Sequence, residues 1–276
     1  MSPPFRHQSD LLASAKSAQA RIADSMQTID GYSYSCRGND GPWVVFVPTF
    51  AELNFVYAPL VDQLERTNRT LLFNPHVSTT ETFGPAARAR ELGIVLDTLG
   101  IRDQIHIVSW SDAGMGAHMF GEVWLDRILS CTYIGMPDHY VLPPGLRRLS
   151  QLFASSSLHR ATPPAVSAFL IAFLMGSVKV PTRDLFGEIR ALGPVSAYMK
   201  YSVLPCLLHE PTGKSSHPTL VLGGDRDRFV KLDQMKALAK RLDASFVHVP
   251  GGDHFLPWTF PEIVNRNVAG FVNARG

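Results

Sequence analysis

The chain of 276 residues has only three cysteines, Cys36, Cys131 and Cys206. Three thiols cannot all pair, and none stands in a CxxC or Cys/His spacing, so neither a disulfide framework nor a zinc or redox site is expected. No metal and no cofactor is expected elsewhere either. Charge is also sparse: 18% of residues are charged, the formal net charge is +2, and no block of one sign concentrates it. That balance excludes nucleic acid as an expected partner. Long apolar runs are missing as well. The most apolar stretch, residues 165–178, is shorter than the roughly 20 residues of a membrane span, and Ser167 and Gly176 interrupt it. Residues 1–10 contain Pro3, Pro4, Arg6, His7 and Asp10 in place of the apolar core of a secretory signal. With reduced thiols, these absences lead to the expectation of a cytoplasmic protein.

What remains is an ordinary globular composition, 45% hydrophobic, in a chain long enough for one large core. Residues 10–29 predict a helix, with Leu11, Ala15, Ala18, Ile22 and Met26 spaced by three and four. Tyr32-Ser33-Tyr34-Ser35-Cys36 alternates like a half-buried strand and is followed by the turn Gly38-Asn39-Asp40-Gly41-Pro42, which predicts a hairpin into the next strand. Short apolar runs at 43–47, 71–73, 105–108, 129–134 and 219–222 read as strands buried on both faces. Helical patterns at 86–99 and 232–242 lie among them. This alternation predicts an α/β chain, with a doubly wound, mostly parallel sheet flanked by helices and functional loops beyond the strands' carboxyl ends. It breaks at residues 138–215, which carry helical apolar patterns, Pro143-Pro144 and Pro163-Pro164, and no clear strand. The expected organisation is a core of residues 1–137 and 216–276, with 1–30 as an N-terminal helical extension and 138–215 as an inserted helical lid.

The strand 104–108 runs into Ser109-Trp110-Ser111-Asp112-Ala113-Gly114 and then a helical stretch. A nucleophile on such a turn needs small residues two before and two after it, so that strand and helix cross closely. Ser109 and Ala113 satisfy this, although the usual pattern has glycine at both places. Alone, Ser111 reads equally as a helix N-cap. Two later strand ends change that balance. Thr219-Leu220-Val221-Leu222 empties into Gly223-Gly224-Asp225-Arg226-Asp227, where Asp227 is the candidate acid and Asp225 a turn-shaping residue. Residues 245–249 lead to Gly251-Gly252-Asp253-His254, where His254 is the candidate base. His248, inside that strand, reads as a packed or surface histidine. Thr259 to Glu262 predicts a capping box for a last helix with Val264, Val268 and Phe271 inward, which leaves His254 on a loop.

Serine, acid and histidine in this order resemble the α/β-hydrolase superfamily, and the likeness runs from about Tyr32 to Phe271. The resemblance implies Ser111 as nucleophile, His254 as base and Asp227 as its orienting acid. The segment Phe46-Val47-Pro48-Thr49-Phe50 is similar to the family's first loop, with Pro48-Thr49 where His-Gly is usual. By that correspondence the backbone amides of Phe50 and Asp112 form the oxyanion hole. Thr49, Trp110, His76, Asp138, Tyr140 and Phe255 are the candidate pocket residues, with Asn74 beside His76 near the entrance. The implied reaction is cleavage of a carboxylic ester, lactone or thioester through an acyl-enzyme. Apolar lid residues such as Phe169 and Phe173 point to a small hydrophobic acyl or aromatic substrate. The alternatives are non-hydrolytic chemistry with His254 as base, for which Asp138 is another acid, and a non-catalytic binding member. An Asp112 nucleophile is disfavoured, because that register puts the bulky Trp110 at the strand–helix crossing. A homodimer is left open.

Overall fold

In the computed structural model, residues 8–49, 51–75, 84–139, 144–145, 147–148, 209 and 214–275 are described. Most of the expected lid, with Tyr140, therefore lies outside the described residues, as do Phe50 and His76.

The apolar runs form the middle of one sheet. Its strands are β1 (Gln27–Ile29), β2 (Tyr32–Arg37), β3 (Trp43–Val47), β4 (Arg69–Phe73), β5 (Ile105–Trp110), β6 (Ile128–Ile134), β7 (Thr219–Gly224) and β8 (Ser245–Val249). The spatial order is β1-β2-β4-β3-β5-β6-β7-β8, antiparallel at β1–β2 and β2–β4 and parallel from β4 to β8. Every residue of β5 and β7 is buried, which is why both read as continuous apolar runs without alternation.

The hairpin expected between β2 and β3 does not form. Between them sits β4, pairing with β2 on one edge and β3 on the other. The Gly38–Pro42 turn instead crosses the start of β4, where Arg69 donates its backbone N–H to the Pro42 carbonyl and its side-chain Nε–H to the Gly41 carbonyl. A turn signal fixes where the chain reverses. It does not fix which strand lies alongside, and a parallel β3–β4 pair leaves β2 only the outer edge.

Helices cover both faces. One core joins the sheet to α1 (Gln8–Ser25), α2 (Ala58–Leu64), α6 (Leu256–Thr259) and α7 (Pro261–Asn273) through Ala18, Ile22, Leu60, Leu64, Leu256, Val264, Val268 and Val272. The opposite core joins it to α3 (Pro85–Thr98), α4 (Ala113–Val123) and α5 (Leu232–Leu242) through Leu92, Leu96, Met115, Phe120, Met235 and Leu238. Ala18 and Ile22 lie on the inner stripe expected of the first helix, but that helix ends at Ser25, and Gln27–Ile29, expected to be helical, form β1 against β2. The capping box at Thr259 is absent. That hydroxyl donates to the Asp253 carboxylate at 2.8 Å, and α7 starts from Phe260 without a side-chain cap. Val272, not Phe271, completes the buried stripe of α7, with Phe271 packed at its margin. No described helix is long and apolar enough to cross a membrane.

Candidate active site

The carboxyl ends of β5, β7 and β8 converge on one point. At the end of β5, Ser111 has φ of +58°, a left-handed backbone uncommon for a residue with a Cβ. Its amide N–H donates to the Ile134 carbonyl at 2.9 Å, which ties the turn to β6. Ser109 and Ala113 are both buried in the strand–helix crossing, as their small size allows. The helix-cap alternative for Ser111 does not apply: the position before α4 is Asp112, which makes no side-chain cap bond and is buried.

The Ser111 hydroxyl lies 2.9 Å from His254 Nε2, and His254 Nδ1 lies 2.8 Å from Asp227 Oδ2. The second carboxylate oxygen of Asp227 accepts the backbone N–H groups of Phe229 at 2.7 Å and Val230 at 2.9 Å. The carboxylate side chain is 0% exposed and the imidazole 6%. Such a carboxylate is locked by its own loop, so its remaining oxygen is aimed at one partner. Asp225 accepts the Gly251 amide at 2.7 Å, which ties its loop to the turn after β8 and does not cap its own turn. His248 lies at the surface, 3.5 Å from Asp225.

Three further groups hold the imidazole in place. The Trp110 indole N–H donates to the His254 carbonyl at 2.5 Å, and its ring lies 5.2 Å from the imidazole. Phe229 packs on the imidazole with ring centroids 4.8 Å apart. Gly135 has φ of +62°, and a Cβ there would stand 3.5 Å from His254 Nδ1 and 3.6 Å from Asp227 Oδ2. The chain after β6 thus passes directly under the imidazole–carboxylate pair. Next to the histidine, burial holds the Asp253 carboxyl above the usual carboxylate range, against the opposing hydrogen bonds from Thr259 and Phe255. Asp253 thereby fixes the turn that presents His254.

The candidate pocket residues divide. Trp110 is 2% exposed and spends its indole on His254, while Phe255 is buried against the Trp110 ring at 4.9 Å. Thr49 is 2% exposed, and its carbonyl accepts from Arg88. Asp138 is ion-paired with Arg241 and bonded to His139 at 3.1 Å, whereas His254 takes Asp227. Burial alone would raise the Asp138 carboxyl, but Arg241 and His139 outweigh it and hold the group below its ordinary range. Asn74 accepts from Asn54 at 2.9 Å beside the end of β4. Among the described residues, no group of three His, Cys, Asp or Glu side chains is arranged to hold a metal ion.

The loop after β3 is held from behind. The Tyr57 hydroxyl donates to the Val47 carbonyl at 2.8 Å. Burial pushes this phenol far up, so it stays protonated and able to donate. Arg88, 8% exposed, donates to the carbonyls of Pro48 and Thr49. Sequence reasoning missed both Arg88 and the tie from Trp110. Each bridges residues far apart in the chain, so no local pattern announces it.

No protein-family description and no curated protein matches the chain. Solved structures do. An esterase from Thermogutta terrifontis superposes with a TM-score of 0.72 at 17% identity, covering 91% of this chain and 97% of its own. The enol-lactonase from Burkholderia xenovorans gives 0.66 at 16% identity over 90% and 99%. A putative non-heme bromoperoxidase from Mycobacterium tuberculosis gives 0.67 at 17% identity over 91% and 98%. The chain has the α/β-hydrolase fold. At these identities the likeness is one of fold, and the chemistry must come from the site itself.

Proposed function

We propose that the protein is a serine hydrolase that cleaves a carboxylic ester or lactone of a small hydrophobic substrate through an acyl-enzyme on Ser111. One observation carries this reading. A serine with left-handed backbone at the end of β5 is hydrogen-bonded to a buried histidine, which is itself bonded to a carboxylate locked by two backbone amides. In such an arrangement Ser111 Oγ attacks the carbonyl carbon while His254 Nε2 takes its proton. The same nitrogen then returns that proton to the leaving oxygen. Asp227 holds the ring orientation and stabilises the imidazolium. Water repeats the sequence to release the acid. The partial positive charge at the start of α4, immediately after Ser111, favours the developing oxyanion. Esterase and lactonase among the structural neighbours agree with this class of reaction.

The test is a panel of p-nitrophenyl esters and lactones with a fluorophosphonate probe, on the wild type and on Ser111→Ala. Turnover and labelling are expected in the wild type and lost in the variant. Labelling elsewhere, or full turnover by the variant, would reject the serine mechanism in favour of chemistry with His254 as a base.

A further inference from the structure

Where similar loops carry His-Gly, this chain has Pro48-Thr49. A substituted loop can bind an oxyanion only if something else fixes its peptides, because the donors must be preorganised when charge develops. Three successive carbonyls of this loop meet buried donors. Val47 accepts from Tyr57, while Pro48 and Thr49 accept from the Arg88 guanidinium. Arg88 comes from the first turn of α3, 40 residues away in sequence. It reaches the loop under α4, where a Cβ at Gly116 would stand 2.6 Å from the Arg88 Cβ. Glu91 pairs with the same guanidinium at 3.1 Å, and both side chains are nearly buried, 9% and 11% exposed. A buried cation this well bonded is not explained by surface solvation.

We propose that Arg88 is the positioning residue of the oxyanion-binding loop. A trans peptide carries its C=O and N–H on opposite edges. Holding the Pro48 carbonyl toward Arg88 therefore turns the Thr49 N–H to the opposite edge of that peptide, and the second contact, at the Thr49 carbonyl, fixes the loop's course toward the oxyanion. The guanidinium does the orienting work that a glycine-containing loop does through its own backbone. Its positive charge and the buried Asp112 carboxylate act in opposite directions at the Tyr57 hydroxyl. Arg88 touches no reacting atom and acts through the loop.

This role rests on the hydrolase reading above, and its test separates the two. Arg88→Met and Arg88→Lys are compared with the wild type in the full chain, with folding followed by circular dichroism and thermal melting. The readouts are kcat and KM on the best p-nitrophenyl ester, and affinity for an alkylboronic acid, which forms a tetrahedral adduct on the serine. Arg88→Met is expected to lower kcat by about 10²-fold, the effect of losing one oxyanion donor. KM should stay within about twofold, as for an interaction made only in the transition state. The boronate should weaken in parallel. Arg88→Lys, with one ammonium in place of a two-pronged donor, is expected to lie between the two. A folded Arg88→Met with wild-type kcat overturns the proposal, as does a kcat loss that leaves boronate affinity unchanged. If Arg88→Met fails to fold, Arg88→Lys decides by the same pair of readouts. A wild type with neither turnover nor labelling at Ser111 overturns the hydrolase reading and this role with it. An active wild type with indifferent Arg88 variants overturns this role alone.

Discussion

Two histidines in this fold make nearly the same first contact and differ in the second. His254 and His106 are 5% and 0% exposed, and each has Nδ1 at 2.8 Å from an oxygen, Asp227 Oδ2 for one and Ser130 Oγ for the other. Nε2 of His254 meets the Ser111 hydroxyl, whereas Nε2 of His106 has no hydrogen-bond partner among the described residues. His254 sits on a turn beyond β8, over the carboxyl ends of the strands. His106 sits inside β5, in register with Ser130 of β6. Burial and one good hydrogen bond therefore do not distinguish the proposed base from a structural histidine. Position at the sheet's carboxyl edge and a polarisable partner on the second nitrogen do.

The sharpest way to break the comparison is to make the partner of His254 resemble that of His106. Asp227→Asn keeps the shape and leaves an amide oxygen for the Phe229 and Val230 amides, yet removes the negative charge that matches an imidazolium. A fall in kcat on the order of 10⁴-fold is expected, the scale found when a triad carboxylate becomes an amide. Steady-state kinetics on the best ester, with thermal melting to confirm the fold, checks it. A loss under tenfold would mean that Asp227 merely packs.

A smaller effect is expected from the residue that ties the two strand ends together. Trp110→Phe keeps a ring against His254 and Phe255 but removes the indole N–H from the His254 carbonyl. A net hydrogen bond of about 1 kcal/mol corresponds to a rate change of roughly fivefold if it acts wholly on the transition state. The expected outcome is a kcat lowered by about that factor, with ester KM little changed and a melting temperature lower by a few degrees, about 2–4 °C per kcal/mol for a chain of this size. Loss of stability with kcat intact would make Trp110 a core residue only.

Trp110 and Arg88 also mark where the sequence stopped being legible. Strands β3 to β7 and the order of Ser111, Asp227 and His254 were readable because each rests on a local pattern: a doubly buried run, a crossing of small residues, a loop after a strand. The partner of β2 was not, since the turn at Gly38–Pro42 says only that the chain reverses. The Thr259 hydroxyl goes to Asp253, six residues earlier, and not to the helix end, a choice that the local capping pattern does not encode. The bond from Trp110 to His254 spans 144 residues and that from Arg88 to Pro48 spans 40. Side-chain donors that reach across the fold leave no periodicity behind them.

The smallest expected effect is on the other histidine, and it concerns stability, not rate. Burial, with a lesser push from Arg275, lowers the His106 pKa from 6.5 to about 4. As pH falls from 6.5 toward 4 the unfolded chain takes up a proton there while the folded chain does not. The unfolded state is thus favoured progressively, and stability is lost across that window. Above pH 7 both states are neutral at this site and it contributes no slope. Replacing both partners, as His106→Leu with Ser130→Ala, removes the titration without leaving a lone polar group, a change that is nearly neutral when the shapes match. Melting temperatures between pH 4.5 and 8 should then converge above pH 7 and separate below 6.5, with the double variant falling less steeply. Ester turnover at pH 8 should remain that of the wild type, since His106 faces Ser130 in the sheet and not the Ser111 hydroxyl. Parallel pH curves would show that His106 keeps its proton on folding, and a loss of turnover would erase the distinction between the two histidines.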